Sequence, residues 1–194
     1  MKRINVKKCI DMFKVYTYGE SFEILKRHAK ESKDKTKTLL IVAGPNGSGK
    51  STFIANLFKI ENVDLEYVNA DIYAVTNFSN QENKDLLAMN FAMKRCEQLI
   101  LEEKSFIYET VLSHESKINL VKQAKKNGFY IIGVFVYTDD AQINVERVHK
   151  RVHEGGHNVD EIKILTRYER SINNRKLLQD LCNEFYMFDN SKDL

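Results

Sequence analysis

"LLIVAGPNGSGKSTF", residues 39–53, decides how the rest of the chain is read. "TLLIVA" (38–43) is a continuous apolar run of the length expected for a buried parallel strand. After the turn, Phe53, Ile54, Leu57 and Phe58 supply the apolar face of a helix. Between them Gly44, Pro45, Asn46, Gly47, Ser48, Gly49, Lys50 and Ser51 match the P-loop pattern G-x-x-x-x-G-K-[ST]. Glycines let such a loop curl so that backbone N–H groups face phosphate oxygens. The helix beginning near Gly49 aims its positive end at the same anion. Lys50 is then expected at the β- and γ-phosphates, the Ser51 hydroxyl on Mg²⁺, and Thr52 near the α-phosphate. No Asn-Lys-x-Asp guanine-reading segment occurs, so the expected nucleotide is ATP.

Outward from this turn, strands and helices alternate. "LEYVNAD" (65–71), "SFIYET" (105–110), "FYIIGVFVYT" (129–138) and "EFYMFDNS" (184–191) read as four further strands. The strand 129–138 is the most apolar and is expected at the centre. A helix is expected over 82–103, with Leu86, Met89, Met93, Cys96 and Ile100 on its buried stripe. Another spans 113–128, capped by Ser113 and stopped by Gly128. Two more, 141–154 and 159–178, are split by "GGHN", with Asn158 and Glu161 as a capping pair. The fold class is therefore α/β: a P-loop NTPase with a five-stranded, mostly parallel sheet, helices on both faces and a helical lid. Residues 1–37, with a helix starting at a Ser21 cap, read as an N-terminal appendage and linker, and 38–194 as the P-loop domain.

Composition narrows the partners. The chain has 30 basic and 27 acidic residues, net +3, a balance that does not argue for a nucleic-acid or membrane partner. No run approaches the roughly 18 apolar residues of a membrane span, and the N-terminus lacks the apolar core of a signal peptide. A cytoplasmic protein is expected. Cys9, Cys96 and Cys182 form no metal or redox spacing and read as small buried apolar groups.

What happens to the phosphate depends on residues outside the loop. Apart from the P-loop, the chain shows no apolar strand ending in Asp-Glu and no Leu-Ser-Gly-Gly segment, so a motor or transporter ATPase is not indicated. A small-molecule kinase needs an acid near the acceptor hydroxyl and arginines around the transferring phosphoryl. Asp71 closes the second strand, at the edge where open parallel sheets bind ligands. It can take a proton from an acceptor, or simply cap the next helix. Glu109, at the same edge, can hold an acceptor hydroxyl or a Mg²⁺-bound water, or have no role. Thr110, Ser113 and His114 are weaker polar candidates. Segment 146–175 carries Arg147, Arg151, Arg167, Arg170 and Arg175 around Gly155-Gly156. Such a segment reads as a lid that folds arginines over the phosphates and excludes water. His157 is expected to cap or orient that loop.

These pieces together resemble the zeta-toxin-like P-loop kinases. The resemblance rests on "GPNGSGKST", "VNADIYA", "YETVLSH", "GFYIIGVFVYT", "RVHEGGHNVDEIKILTRYERSINN" and "DNS", spanning about 39–191. It implies ATP-dependent phosphorylation of UDP-N-acetylglucosamine at a sugar hydroxyl. It makes Asp71 the general base, Lys50 the loop lysine, Arg151 and Arg167 the principal lid arginines, with Arg147 and Arg170 secondary. It places Glu109 and Thr110 at the acceptor. A toxin–antitoxin role would add a small neutralising protein as partner. Two other readings remain open at this point: an ATP-binding regulatory module or ATPase without transfer, and a nucleic-acid 5′-hydroxyl kinase.

Overall fold

Thr38–Ala43 forms β1, and its two-residue alternation divides the core. The computed structural model describes residues 37–60, 65–156 and 158–192, so the expectations for the N-terminal appendage, its Ser21 cap and His157 lie outside the described residues. Leu39, Ile41 and Ala43 point into one buried cluster, Leu40 and Val42 into another. On the Leu40 side sits α1 (Lys50–Ile60), through Phe53, Ile54 and Leu57. Phe53 meets Phe188 edge-on, centroids 4.7 Å apart. On the Leu39 side sit α3 (Lys84–Leu101), α4 (Glu115–Lys126) and α6 (Glu161–Leu181). A strand buried on both faces needs no polar alternation, which is why "LLIVA" is uninterrupted.

The other strands are β2 (Glu66–Val68), β3 (Phe106–Thr110), β4 (Tyr130–Tyr137) and β5 (Glu184–Asp189). Their order is β2-β3-β1-β4-β5, and every pairing is parallel. The central strand is thus β1, not the more apolar β4: burial on both faces, rather than position in the sheet, sets the apolar content. The register sets Val42 opposite Glu109 and Ala43 opposite Thr110, so β1 delivers its turn beside the acidic end of β3.

Several local expectations shift. The second strand ends at Val68, because Asn69 caps α2 (Ala70–Thr76) by accepting from the Asp71 N–H at 2.7 Å. Asp71 therefore lies in the first turn of α2 and is not its cap. α4 is capped by His114 rather than Ser113; its Nδ1 accepts from Ser116 N–H at 3.2 Å. α6 is capped by Asp160, not Asn158. The buried stripe of α3 is Ala88, Ala92, Cys96, Leu99 and Ile100, so Cys96 and Ile100 are buried as expected while Leu86 and Met89 are exposed. Small residues there let α3 lie close to its neighbours. α5 (Ala141–His153) packs on α6 through Val145, Val148, Val159 and Ile164. No helix among the described residues is long and apolar enough to cross a membrane. Cys96 is buried and Cys182 half-buried; burial raises both thiols, Cys182 to about 12, in keeping with the inert role expected. Cys9 lies outside the described residues.

Candidate active site

The turn after β1 takes the shape its glycines permit. Gly44, Gly47 and Gly49 all have positive φ. At Gly44 a Cβ would fall 1.9 Å from the Val136 carbonyl oxygen, so no side chain fits there. The turn is held from behind by two amides that sequence reading missed. Asn144 of α5 donates to the Asn46 carbonyl at 2.5 Å, and its own side-chain oxygen accepts from the Thr138 hydroxyl. Asn190, just past β5, donates to the Ser48 carbonyl at 2.9 Å. Lone asparagines carry no spacing signal; only the "DNS" already noted near the end hinted at one of them.

Lys50 folds back over the loop, its Nζ donating to the Pro45 carbonyl at 2.8 Å. Burial pushes its pKa down, against the opposing pull of Glu109 and Asp71, with Arg151 lowering it further. A buried ammonium held this way is short of counter-charge. Asn46 Oδ1 and Ser48 Oγ are also buried with no hydrogen-bond partner. What a bound polyphosphate needs from a glycine-rich turn is donors, and the Lys50 ammonium at the cavity lining is one.

Glu109 is the hub of the adjoining network. Ser51 Oγ donates to its Oε1 at 2.8 Å. Asn69 Nδ2 donates to Oε2 at 3.0 Å and to the Tyr67 hydroxyl at 2.7 Å, and Tyr67 donates to Oε2. Burial and the neighbouring carboxylate hold the Tyr67 phenol well above its usual range, so it remains a donor. Glu109 thus faces the Ser51 hydroxyl. A hydroxyl and a carboxylate in contact are hard oxygen donors of the kind Mg²⁺ takes alongside phosphate and water, so the residues fit that ion.

One cavity of about 710 Å³ gathers most of the expected residues. Asn46, Gly47, Gly49, Lys50, Ser51 and Thr52 line it from the loop. Asp71, Glu109 and Thr110 line it from the β2 and β3 ends, and Arg147, Arg151 and Arg167 from α5 and α6. Gly44, Pro45 and Ser48 are buried behind the loop, outside the cavity lining. Ser113 and His114 also line the cavity, the latter while capping α4. Arg170 does not: it is exposed on α6, three residues beyond Arg167. Arg147 has a structural contact, donating to the Asn190 carbonyl at 2.7 Å, and so ties α5 to the end of β5.

The glycine pair between α5 and α6 is a helix stop. Gly155 N–H bonds the Val152 carbonyl at 3.0 Å and Gly156 N–H the Arg151 carbonyl at 2.9 Å, with Gly155 at φ 85°. Gly156 packs against Arg151 itself: a Cβ there would meet Arg151 Cγ at 2.6 Å. The pair therefore makes room for an arginine stem. Backbone strain sits close by. Leu112, buried at the cavity wall, has φ 60°, and Asn174 Nδ2 braces its carbonyl at 2.9 Å.

A family model described as an AAA domain matches residues 39–170, from β1 into α6. The chain belongs to this family. An uncharacterised protein of Haemophilus influenzae is 32% identical over 129 residues, covering 66% of this chain and 91% of that one. Three solved structures share the fold. The PezAT chromosomal toxin–antitoxin system of Streptococcus pneumoniae has TM-score 0.61 at 14% identity, covering 92% of this chain and 80% of the other. AvrRxo1-ORF1:-ORF2 with ATP has TM-score 0.59 at 18% identity, over 90% and 57%. Shikimate kinase of Acinetobacter baumannii in complex with shikimate has TM-score 0.53 at 14% identity, over 84% and 88%. What these structures share with the chain is the fold.

Proposed function

We propose that the chain is an ATP- and Mg²⁺-dependent kinase that moves the γ-phosphoryl group to a hydroxyl of a small acceptor, a nucleotide sugar such as UDP-N-acetylglucosamine being the leading candidate. The observation that carries the reading is the single cavity in which Lys50, Asp71, Arg151 and Arg167 converge and which extends beyond the P-loop. An enzyme that only hydrolysed ATP would need no such additional space.

In this reading the loop from Gly44 to Thr52 holds the triphosphate, with Lys50 leaving the Pro45 carbonyl for the β- and γ-oxygens. Ser51 and Glu109 hold Mg²⁺, which offsets charge on those oxygens when bound. Glu109 then serves the metal side, and Thr110 is left facing the acceptor. Asp71 orients the acceptor hydroxyl and takes its proton as the oxygen attacks γ-phosphorus. The bond from γ-phosphorus to the β,γ-bridging oxygen breaks, and ADP leaves with that electron pair. Arg151 and Arg167 offset the charge spread over the equatorial oxygens. Residues 38–194 form the catalytic domain and 1–37 an appendage. The likeness to a toxin–antitoxin structure supports testing for a neutralising protein partner, with growth arrest on expression as the sign of toxicity.

The test is transfer of labelled γ-phosphate from ATP to a panel of sugar nucleotides and simple sugars, with Lys50→Ala as the blank. Label on an acceptor in the wild type alone is the expected result. Release of free phosphate with no labelled acceptor would favour an ATPase instead, and tight ATP binding with neither a regulatory module.

A further inference from the structure

α4 starts at the far end of the β3 loop, and its first turn contains a lysine that the mechanism above does not use. Lys117 is 8% exposed and lines the same cavity. Its ammonium has no hydrogen-bond or ion-pair partner among the described residues. What surrounds it is apolar or weakly polar: the Cys96 thiol of α3 is the one group that raises its pKa, and burial lowers it by more. Asp85 lines the cavity from the first turn of α3, but no carboxylate is among the groups that shift Lys117. A buried cation without counter-charge is costly to keep, and a ligand's negative charge would relieve that cost.

Its placement shows which ligand. α1 and the P-loop lysine belong to the Leu40 side of the sheet, whereas α4 belongs to the Leu39 side. Lys117 therefore enters the cavity from the layer opposite the helix that carries Lys50, and on that side the cavity is walled by Met89, Ala92, Tyr108 and Leu112. The triphosphate already has the P-loop amides, Lys50 and the lid arginines.

We propose that Lys117 seats an anionic group, phosphate or carboxylate, of the acceptor, so that the second substrate is a hydroxyl compound carrying negative charge. The inference rests on the phosphotransfer reading and sharpens it. Asp71 addresses the hydroxyl, and Lys117 holds the charged end that fixes which hydroxyl is presented.

The experiment uses acceptors in charged and uncharged pairs: UDP-N-acetylglucosamine with N-acetylglucosamine, glucose 6-phosphate with glucose, and gluconate with glucitol. Each is offered with labelled ATP to the wild type, Lys117→Met and Lys117→Arg. Methionine matches lysine in reach and removes a buried charge, so the variant should fold. Only charged members should be labelled by the wild type, and the phosphate and carboxylate pairs separate the two sources of charge. Lys117→Met should raise the acceptor KM by about tenfold or more, as for a lost charge-assisted hydrogen bond. It should leave the KM for ATP unchanged and kcat within about threefold, and Lys117→Arg should recover part of the loss. Equal use of an uncharged partner, or an unchanged acceptor KM in Lys117→Met, overturns the proposal. If the wild type labels nothing, the phosphotransfer reading fails for these acceptors, and the anion seat is decided separately. With the P-loop filled by a non-hydrolysable ATP analogue and Mg²⁺, inorganic phosphate should then raise the Tm of the wild type and not of Lys117→Met. Equal shifts in both, or none in either, overturn it.

Discussion

Ser51 Oγ donates to Glu109 Oε1 at 2.8 Å, joining the residue after the loop lysine to a carboxylate 58 positions away. That contact couples the P-loop to β3, and under the proposed function Glu109 belongs to the metal side of the reaction rather than the acceptor side. Glu109→Gln keeps the shape and removes the charge. It should weaken the apparent Mg²⁺ affinity or activity by about 10–100-fold. The check is a Mg²⁺ titration of transfer at saturating ATP; an unchanged Mg²⁺ dependence would return Glu109 to the acceptor.

Asp71 is exposed and lies in the first turn of α2, so its removal should cost chemistry without costing the fold. Asp71→Asn should lower kcat by about 10²–10⁴-fold, the range for loss of a positioned base. ATP should still raise the Tm of the variant as it does that of the wild type. A variant that transfers phosphate at near-normal rate would remove Asp71 from the mechanism.

Gly155 and Gly156 should fail in opposite ways. Gly155→Ala places a Cβ in open space at φ 85°, which costs about 1–2 kcal/mol of stability and little activity. Gly156→Ala drives its Cβ against Arg151 Cγ at 2.6 Å and the Arg151 carbonyl oxygen at 2.9 Å. That variant should lose kcat more than Tm, because the arginine stem must move. Thermal melts and kcat measured on both variants separate the two effects.

Lys50 and Lys117 both sit below their ordinary pKa of 10.5, chiefly through burial. Between the lowered values and 10.5 the unfolded chain holds protons that the folded chain has shed. Stability therefore rises with pH in that window, and the penalty is fully present below it. The urea midpoint of the ligand-free protein should climb with pH on the approach to the ordinary lysine value of 10.5. The climb should shrink in Lys50→Met and flatten in Lys50→Met/Lys117→Met. A slope unchanged in the double variant would mean that neither ammonium is desolvated.

Asn144→Ala would leave the Asn46 carbonyl without its side-chain donor and the Thr138 hydroxyl with the Asp140 carbonyl alone, at a site where Asn144 and Thr138 are fully buried. A loss of about 1–3 kcal/mol is expected. The KM for ATP should rise as the loop loosens, while the acceptor KM stays put. Melting curves and the two KM values check this.

The parts legible in sequence were those written in local pattern. The P-loop announces itself by spacing, and "TLLIVA" by an unbroken apolar run, so the five strands and the cavity-lining Lys50, Ser51, Asp71 and Glu109 could be found in advance. The rest depends on distance in sequence. Whether β1 or β4 is central is settled by pairing, and neither strand encodes it. His114 takes the cap of α4 because its ring nitrogen reaches Ser116, a role the choice of Ser113 overlooked. Lys117 reads as an ordinary helix lysine until α3 and β3 close around it. Arg170 shares the composition of the lid, but its place on α6 turns it to solvent.

Asn144 and Asn190 brace the P-loop from 98 and 142 positions downstream. The motif that names the scaffold is thus synthesised early, while the bonds that shape it are synthesised late. A nascent chain still lacking β5 carries every residue of the phosphate loop but not the Asn190 brace behind Ser48. Under the proposed function, a product truncated before Asn190 should carry the motif and bind ATP more weakly than the whole chain.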